Sequence, residues 1–205
     1  LSSPLSSSPF SFLTPLFSSS SPLEGLTMRI IVVGDGKVGL AVTSYLSEEG
    51  HELTIIDPNS EVLQKSVEQY DVKIIRGNGA SLPVLREAGA EETDVLIAAT
   101  SADEINLLTC IMARKAGVKH TIARVRNPEY SEQRVVMRAE LGLSMTINPE
   151  FSAAFEIYNT LQFPNFLKRD SFAKGRVEIV ELKINEDSKL CGTALSNIYK
   201  VLSVQ

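Results

Sequence analysis

The most constraining feature of this chain is a glycine-rich segment that joins an apolar run to a helical pattern. Residues 28–33 (MRIIVV) are apolar and rich in β-branched side chains, which is typical of a strand buried on both faces. They run directly into GDGKVG at 34–39, which fits the pattern G-x-G-x-x-G. Apolar residues at helical spacing follow, up to Gly50: Val38, Ala41, Val42, Tyr45 and Leu46. The segment therefore predicts a strand, a tight turn and a helix in succession.

An acidic residue follows at the position that makes the glycine pattern specific. Residues 52–57 (ELTIID) predict a second strand, and Asp57 closes it 18 residues after Gly39. A strand before the glycines, a helix after them and an acid at the end of the second strand are the context of a dinucleotide-binding turn. We expect a nucleotide here; the alternative is a Rossmann turn that binds none.

Each of these residues has a physical role in nucleotide binding. Gly34 allows the tight turn, Gly36 lets a pyrophosphate approach the backbone, and Gly39 lets helix and strand pack closely. The helix amino terminus offers free N–H groups and partial positive charge to the phosphates. Asp57 can accept hydrogen bonds from the ribose hydroxyls, and its charge would repel a 2′-phosphate. The sequence favours NAD, or another adenine nucleotide with an unphosphorylated ribose, over NADP.

The same strand–helix unit recurs along the chain. Further strands are predicted at 72–76, 94–100, 120–125 and 144–147, and further helices at 61–70, 103–116 and 130–141. This alternation predicts an α/β fold over residues 28–148, with a Rossmann-like doubly wound parallel sheet. Ligands of such sheets lie beyond the carboxyl ends of the strands. The residues expected there are Asp57, 77–79, 100–103 and 124–126.

Composition excludes several other classes of function. Lys and Arg number 20 against 25 Asp and Glu, a net charge of −5 that does not suggest the basic face needed to bind nucleic acid. Two cysteines and two histidines, without a close cluster, predict neither a disulfide framework nor a transition-metal site. No apolar run reaches the roughly 18–20 residues that a membrane-spanning helix needs.

Residues 1–27 have a different composition from the rest. They hold ten Ser, four Pro and one charged residue, Glu24. We expect this segment to be disordered or foreign to the native chain, with Met28 as its natural start, because Ser and Pro at this density block helix and strand periodicity. A secretory signal would need a basic amino-terminal region, and a transit peptide would need arginine.

Five segments together resemble a known family of potassium-transport regulators. They are VVGDGKVG, IID, RGNGAS, DVLIAATSADEINLLTCIMARKAG and TIARVRNPEY. The resemblance covers residues 28–205 and is to the RCK or KTN domain, as in the TrkA-type subunits of bacterial Trk potassium uptake systems. Its most telling parts are TSADEIN at 100–106 and IAR at 122–124, which a generic dehydrogenase fingerprint does not require.

The resemblance implies a role for particular residues. The glycines would form the phosphate loop, and Asp57 would bind the ribose. Arg124 would reach a phosphate, either in its own subunit or across a dimer interface. Asn78 stands where the family usually has Asp, and its amide can bond adenine without adding charge. The implied nucleotide-binding set is Gly34, Gly36, Lys37, Val38, Gly39, Asp57, Asn78, Thr100, Asp103 and Arg124.

Three of these residues have purely structural alternatives. Lys37 can be a solvated lysine in the first turn of its helix. Asp103 can cap the helix that begins beside it. Arg124 can belong to an ion pair in a buried strand.

A different kind of segment follows the sheet. A helix is predicted at 150–163 with an apolar stripe, then a polar hinge at 164–175 and a half-buried strand at 176–184. The stripe can pack on its own sheet, whereas in the family the equivalent helix crosses to a neighbouring subunit. Residues 149–175 then form a crossover helix and hinge, and 176–205 an incomplete carboxy-terminal regulatory domain. The stripe consists of Phe151, Phe155, Tyr158 and Leu161.

Three classes of function remain open at this point. The resemblance implies a cytoplasmic regulatory subunit at the inner face of the membrane, which forms a homodimer or larger ring. It would bind NAD(H) or ATP/ADP, and the bound nucleotide would gate a membrane potassium transporter or channel subunit. An NAD-dependent oxidoreductase is the alternative, but it needs an acid/base group and a substrate domain, and no histidine follows His120. The third class is an interaction module that binds no nucleotide.

Overall fold

The computed structural model describes residues 27–162, 166–172, 177–182, 184 and 186–198. The serine- and proline-rich segment therefore lies outside the described residues, apart from Thr27. The chain divides into two compact units, Leu1–Pro149 and Glu150–Gln205. In the described part, no helix is both long and apolar enough to cross a membrane.

The first unit contains a six-stranded parallel sheet, as the alternating pattern predicts. Its strands are β1 (Arg29–Val33), β2 (Glu52–Asp57), β3 (Lys73–Arg76), β4 (Val95–Ala98), β5 (His120–Arg124) and β6 (Met145–Ile147). Their order in the sheet is β3-β2-β1-β4-β5-β6. The helices are α1 (Lys37–Glu48), α2 (Ser60–Gln69), α3 (Leu82–Glu87), α4 (Asp103–Lys115), α5 (Pro128–Glu132) and α6 (Arg134–Glu140). The Rossmann-like doubly wound α/β fold is confirmed.

Both faces of the sheet are buried under helices. Successive side chains of a strand point to opposite faces, so each strand contributes to both apolar clusters. On β1, Ile30 and Val32 belong to one apolar cluster, which includes Leu46 of α1. Ile31 and Val33 belong to the other cluster, which the helices α3 and α4 complete on the opposite face. A strand between two helical layers must be apolar on both sides, which explains the unbroken apolar run in the sequence.

Two local predictions differ from the structure in this unit. The single helix predicted at 130–141 is two helices, α5 and α6, which meet at Gln133. Helix α3 is six residues long and was not predicted, because an apolar period cannot be recognised in fewer than two turns.

The strand order creates a crevice at the carboxyl ends of the two central strands, β1 and β4. The chain runs from β1 outward to β3 and then returns to β4, on the other side of β1. The connections after β1 and β4 therefore leave in opposite directions and open a space at the carboxyl ends of these two strands. The glycine segment lies at this position.

The described part of the second unit contains α7 (Pro149–Gln162), the strands β7 (Phe166–Phe172) and β8 (Val177–Leu182), and a short 3-10 helix at Leu195–Asn197. The two strands are antiparallel, and Phe172 pairs with Val177. Residues 166–172 were predicted as part of a polar hinge, but backbone pairing with β8 makes them a strand. Residues 164–165 and 173–175 of the predicted hinge lie outside the described residues.

The apolar stripe of α7 is exposed to solvent in the single chain. The ring centroids of Phe151 and Phe155 are 6.4 Å apart, and those of Phe155 and Tyr158 are also 6.4 Å apart. Phe151 is 69% exposed and Phe155 is 52% exposed.

Candidate nucleotide-binding site

A cavity of about 720 Å³ opens at the carboxyl ends of the parallel strands. This volume is within the range of roughly 300–1,000 Å³ that is usual for small-molecule sites. The loops after β1, β2, β3, β4 and β5 all contribute to its wall. Eight of the ten residues predicted from the sequence line it: Gly34, Gly36, Lys37, Val38, Asp57, Asn78, Thr100 and Arg124.

Gly34 makes the sharp turn out of β1. Its φ angle is +92°, a conformation that residues with a side chain rarely adopt. A Cβ at this position would lie 2.8 Å from the backbone nitrogen of Thr100. The N–H of Gly34 donates to the carbonyl of Ile56 at 2.9 Å. The turn is therefore held between the ends of β2 and β4, where only glycine fits.

The other two glycines have opposite surroundings. A Cβ on Gly36 would meet no protein atom within 4 Å, so its backbone is open to the cavity. A Cβ on Gly39 would lie 1.9 Å from the carbonyl oxygen of Gly34, so this glycine permits the close contact between α1 and the turn. Gly39 does not line the cavity.

The amino terminus of α1 lies at the cavity. Gly36 is the N-cap residue, and the helix begins with Lys37, whose side chain is exposed. The N–H groups of the first turn have no partner within the helix and carry partial positive charge. Together with the lysine they form a site suited to an anion such as phosphate.

Asp57 lines the cavity from the end of β2, and its carboxylate also holds two loops. One oxygen accepts a hydrogen bond from the N–H of Asp35 at 2.8 Å, and the other accepts one from the N–H of Asn59 at 2.8 Å. A carboxylate oxygen can accept more than one hydrogen bond, so capacity remains for a ligand hydroxyl.

Asp35 is the unexpected residue of the glycine turn. It is 2% exposed, and its carboxylate accepts a hydrogen bond from the Ser66 hydroxyl on α2 at 2.6 Å. Its other oxygen, Oδ1, has no hydrogen-bond partner among the described residues. Burial raises the pKa of this carboxyl above 3.8, the Ser66 bond opposes the shift, and the charge of Asp57 adds to it. The sequence shows a carboxylate between two glycines but does not show the direction in which its side chain points.

The loop after β3 forms the wall beyond Asp57. The side-chain oxygen of Asn78 accepts from the N–H of Ala80 at 3.0 Å, which closes a tight turn. A Cβ on Gly79 would lie 2.1 Å from Cγ1 of Val33, so the loop can approach β1 only with glycine here. Gly79 lines the cavity, as expected for residues 77–79 at the end of a strand, although the nucleotide-binding set implied by the resemblance omits it.

The ends of β4 and β5 are joined by a buried amide. Asn106 of α4 is fully buried and bonds both to Thr100 and to the backbone carbonyl of Arg124. The Arg124 guanidinium donates to the carbonyl of Thr100 at 3.2 Å.

Asp103 does not cap its helix. The N-cap of α4 is Ala102, which makes no side-chain capping bond. One oxygen of the buried Asp103 carboxylate accepts instead from the N–H groups of Arg126 and Asn127, both at 2.8 Å. Capping was the wrong interpretation, because the N–H groups of the loop after β5 come close enough to donate to this oxygen. Asp103 supports that loop and does not line the cavity.

Arg126 lines the cavity, as expected for residues 124–126 at the carboxyl end of a strand, although the nucleotide-binding set implied by the resemblance omits it. Its guanidinium lies 3.6 Å from the Asp103 carboxylate and donates to the carbonyl of Ser101. Lys37, Arg124 and Arg126 therefore place three cationic side chains around one cavity. In the segment IARVR at 122–126 the two arginines are two residues apart, and in an extended chain such side chains point to the same side. This spacing is the sequence signal for Arg126.

The chain matches the family model of the TrkA-N domain over residues 30–149. A Trk system potassium uptake protein TrkA homolog of Archaeoglobus fulgidus is 38% identical over 172 residues, which is 84% of this chain and 39% of that protein. Trk system potassium uptake protein TrkA of Haemophilus influenzae is 34% identical, over 82% of this chain and 38% of that protein. The chain thus spans about two fifths of the length of these relatives.

Solved structures share the fold. The TrkA-N domain of the Escherichia coli inner membrane protein ybaL superposes with a TM-score of 0.57 at 20% identity, covering 67% of this chain and 98% of that one. The Kef CTD of Shewanella denitrificans, in AMP-bound form, superposes with a TM-score of 0.54 at 25% identity, covering 66% and 81%. The match to the family model extends over more than half of the chain, and the chain therefore belongs to the TrkA-N domain family.

Proposed function

We propose that this chain is the nucleotide-binding part of a regulatory subunit that gates a membrane potassium transporter or channel. The observation that carries the proposal is the cavity, which is lined by an acid at the end of β2, a glycine turn and three cationic side chains. The relatives named potassium uptake proteins supply the transport context.

The ligand that we propose is an adenine nucleotide with a free ribose, either NAD(H) or ATP/ADP. Structures of the GsuK channel that share this fold are described as bound to ADP and to NAD, and the Kef domain as bound to AMP. Asp57 would accept from the ribose hydroxyls, while the α1 amino terminus, Lys37 and Arg124 would contact the phosphates. The Asn78 turn would border the adenine.

The proposed mechanism is a shift between conformations. A nucleotide moves a gate only as far as it binds one conformation more tightly than the other. A change from 1:99 to 99:1 requires about 5.5 kcal/mol of differential binding. One hydrogen bond contributes about 0.5–1.5 kcal/mol, so several identical sites must act together. A homodimer or larger ring at the inner face of the membrane, in the cytoplasm, provides them.

Calorimetry on the full chain tests the ligand. NADH, NAD, ATP and ADP are titrated separately, with NADPH as the control that Asp57 is expected to reject. A chain that binds none of the four contradicts the proposal. Because nicotinamide oxidoreductases share this fold, each binding nucleotide is also incubated with the protein and followed for turnover. Oxidation, reduction or hydrolysis of the bound nucleotide would favour the enzyme instead.

Flux measurements test the gating. Rubidium uptake is measured in proteoliposomes that carry the Trk-type membrane subunit of the same cell, with and without this chain and with and without nucleotide. The proposal requires a flux that depends on both. A flux that the nucleotide changes without the chain, or that neither changes, contradicts it.

A further inference from the structure

We propose that Asn106 is a positioning residue of the nucleotide cavity, which its own side chain does not line. Its amide sets the geometry of Thr100 and Arg124, two residues that do line the cavity. The inference rests on the proposed nucleotide-binding function and adds to it a residue whose effect reaches the ligand through others.

All four hydrogen-bonding positions of the Asn106 amide are used. Its oxygen accepts from the N–H of Thr100 at 2.8 Å and from the Thr100 hydroxyl at 2.7 Å. Its nitrogen donates to the carbonyl of Thr100 at 3.2 Å and to the carbonyl of Arg124 at 2.9 Å. The residue is fully buried. One side chain thus joins α4 to the ends of β4 and β5.

The carbonyl oxygen of Thr100 carries the effect to the cavity. It accepts from the Asn106 amide and, on the same atom, from the Arg124 guanidinium at 3.2 Å. The orientation of this carbonyl therefore orients the cationic head group. The backbone nitrogen of Thr100 also limits the space beside Gly34, where a Cβ would lie 2.8 Å from it. A displaced Thr100 would move both the arginine and the wall of the glycine turn.

Only an amide has the chemistry that this position needs. Two acceptor sites and two N–H donors are required on a group of this size. An aspartate of the same shape keeps the acceptors but presents a charged oxygen to the carbonyls of Thr100 and Arg124. Because these polar atoms are buried, water cannot replace the lost donors without opening the wall.

Thr109, one turn further along α4, offers a matched control. It is fully buried like Asn106, and its hydroxyl has no hydrogen-bond partner among the described residues. It does not line the cavity. Thr109→Val keeps the shape and changes polarity in the same helix, and it removes no hydrogen bond to Thr100 or Arg124.

The test compares Asn106→Asp, Thr109→Val and the unchanged full chain, with calorimetric Kd values for ADP and AMP and melting temperatures. We expect Asn106→Asp to weaken ADP binding about tenfold or more, and AMP binding by clearly less, because we assign Arg124 to the β-phosphate, which AMP lacks, while Asp57 still binds the ribose. Lowering the pH should restore part of the ADP affinity relative to the unchanged chain, since a protonated carboxyl can donate again. Thr109→Val should leave both Kd values unchanged.

Three outcomes would overturn the inference. Unchanged ADP affinity in folded Asn106→Asp would show that the amide does not position the cavity. Equal losses for ADP and AMP that follow the melting temperature would show a structural role only. If Asn106→Asp does not fold, Asn106→Ala, which adds no charge, takes its place; if that variant also unfolds while Thr109→Val folds, Asn106 serves folding alone. Failure of the unchanged chain to bind either nucleotide would instead contradict the proposed function.

Discussion

The carboxylate of Asp57 accepts a hydrogen bond from the backbone N–H of Asp35 at 2.8 Å. The residue proposed to bind the ribose therefore also fastens the glycine turn to the end of β2. If Asp57 binds the ribose as proposed, nucleotide affinity and the stability of the turn depend on the same side chain, and a variant that keeps one of the two functions separates them.

Asp57→Ala should lose both functions. We expect NADH to bind more weakly by about 1.5–3 kcal/mol, the value of a hydrogen bond to a charged group, and the melting temperature to fall. Asp57→Asn keeps an oxygen for the Asp35 N–H but removes the charge that repels a 2′-phosphate. It gives up the bond from the Asn59 N–H but keeps the bond that fastens the turn, so it should be more stable than Asp57→Ala. It should also narrow the difference between the NADH and NADPH affinities. Calorimetry and thermal melts of both variants check this; equal NADH and NADPH affinity in the unchanged chain would contradict it.

Alanine at Gly39 should lower the stability of the fold, whereas alanine at Gly36 should leave it almost unchanged. A Cβ on Gly39 would lie 1.9 Å from the Gly34 carbonyl oxygen, so Gly39→Ala should destabilise the fold by about 1–3 kcal/mol. A Cβ on Gly36 meets no protein atom within 4 Å, so Gly36→Ala should change stability by less than about 0.5 kcal/mol.

The same Gly36 methyl group would occupy space that a phosphate needs at the amino terminus of α1. Nucleotide affinity in Gly36→Ala should therefore fall about tenfold or more while the melting temperature stays constant. Unchanged affinity would place the phosphates away from this turn.

Asp35→Asn should stabilise the chain at neutral pH and lose this advantage in acid. Burial raises the pKa of Asp35 above 3.8, so the unchanged chain loses stability as the pH rises from 3.8 through the raised pKa. The asparagine variant carries no such charge and still offers Ser66 an acceptor.

The measurement for Asp35→Asn is the melting temperature of both chains across this pH range. We expect the variant to melt about 2–4 °C higher at neutral pH for each kcal/mol gained, and the difference to vanish below pH 3.8. Ser66→Ala, which removes the bond that favours the charged form, should lower the melting temperature at neutral pH. An advantage of Asp35→Asn that is independent of pH would show that its charge is not the cause.

Changing Phe151 and Phe155 together to glutamine should dissociate a dimer. These side chains are exposed on one face of α7, and burying an aromatic side chain at an interface contributes about 1.5–3 kcal/mol. In a symmetric pair the stripe would meet its own copy. Light scattering measures the mass of the variant, and circular dichroism its folding.

Ile157→Gln provides the matched control for this experiment. Ile157 is 61% exposed on the same helix, and it lies on the side of α7 that faces away from Phe151 and Phe155. It should leave the mass unchanged. A double variant that is still dimeric would locate the interface elsewhere, and one that unfolds as a monomer would show that α7 packs within its own subunit.

Local sequence carried most of the information about the sheet. Runs such as 28–33 are apolar without alternation, which requires two covering layers, and the glycines at 34 and 39 have steric roles that their spacing reveals. Where a local pattern was too short, as at α3, or interrupted, as at Gln133, the boundaries differed. The polar composition of 166–172 was misleading, because a strand can be specified by its pairing with another strand.

The sequence by itself determined the order of the elements, the position of the cavity and the residues at the strand ends, because these follow from short-range periodicity and from the topology of parallel sheets. Only the tertiary structure decided that Asp103 holds the loop of Arg126, that Asp35 turns toward Ser66, and that Asn106 joins Thr100 to Arg124. The bonds between Asn106 and Arg124, Asp103 and Arg126, and Asp35 and Ser66 join residues 18, 23 and 31 apart in the chain. A hydrogen bond depends on distances to a few tenths of an ångström, which the packing of whole helices on the sheet sets and no local pattern encodes.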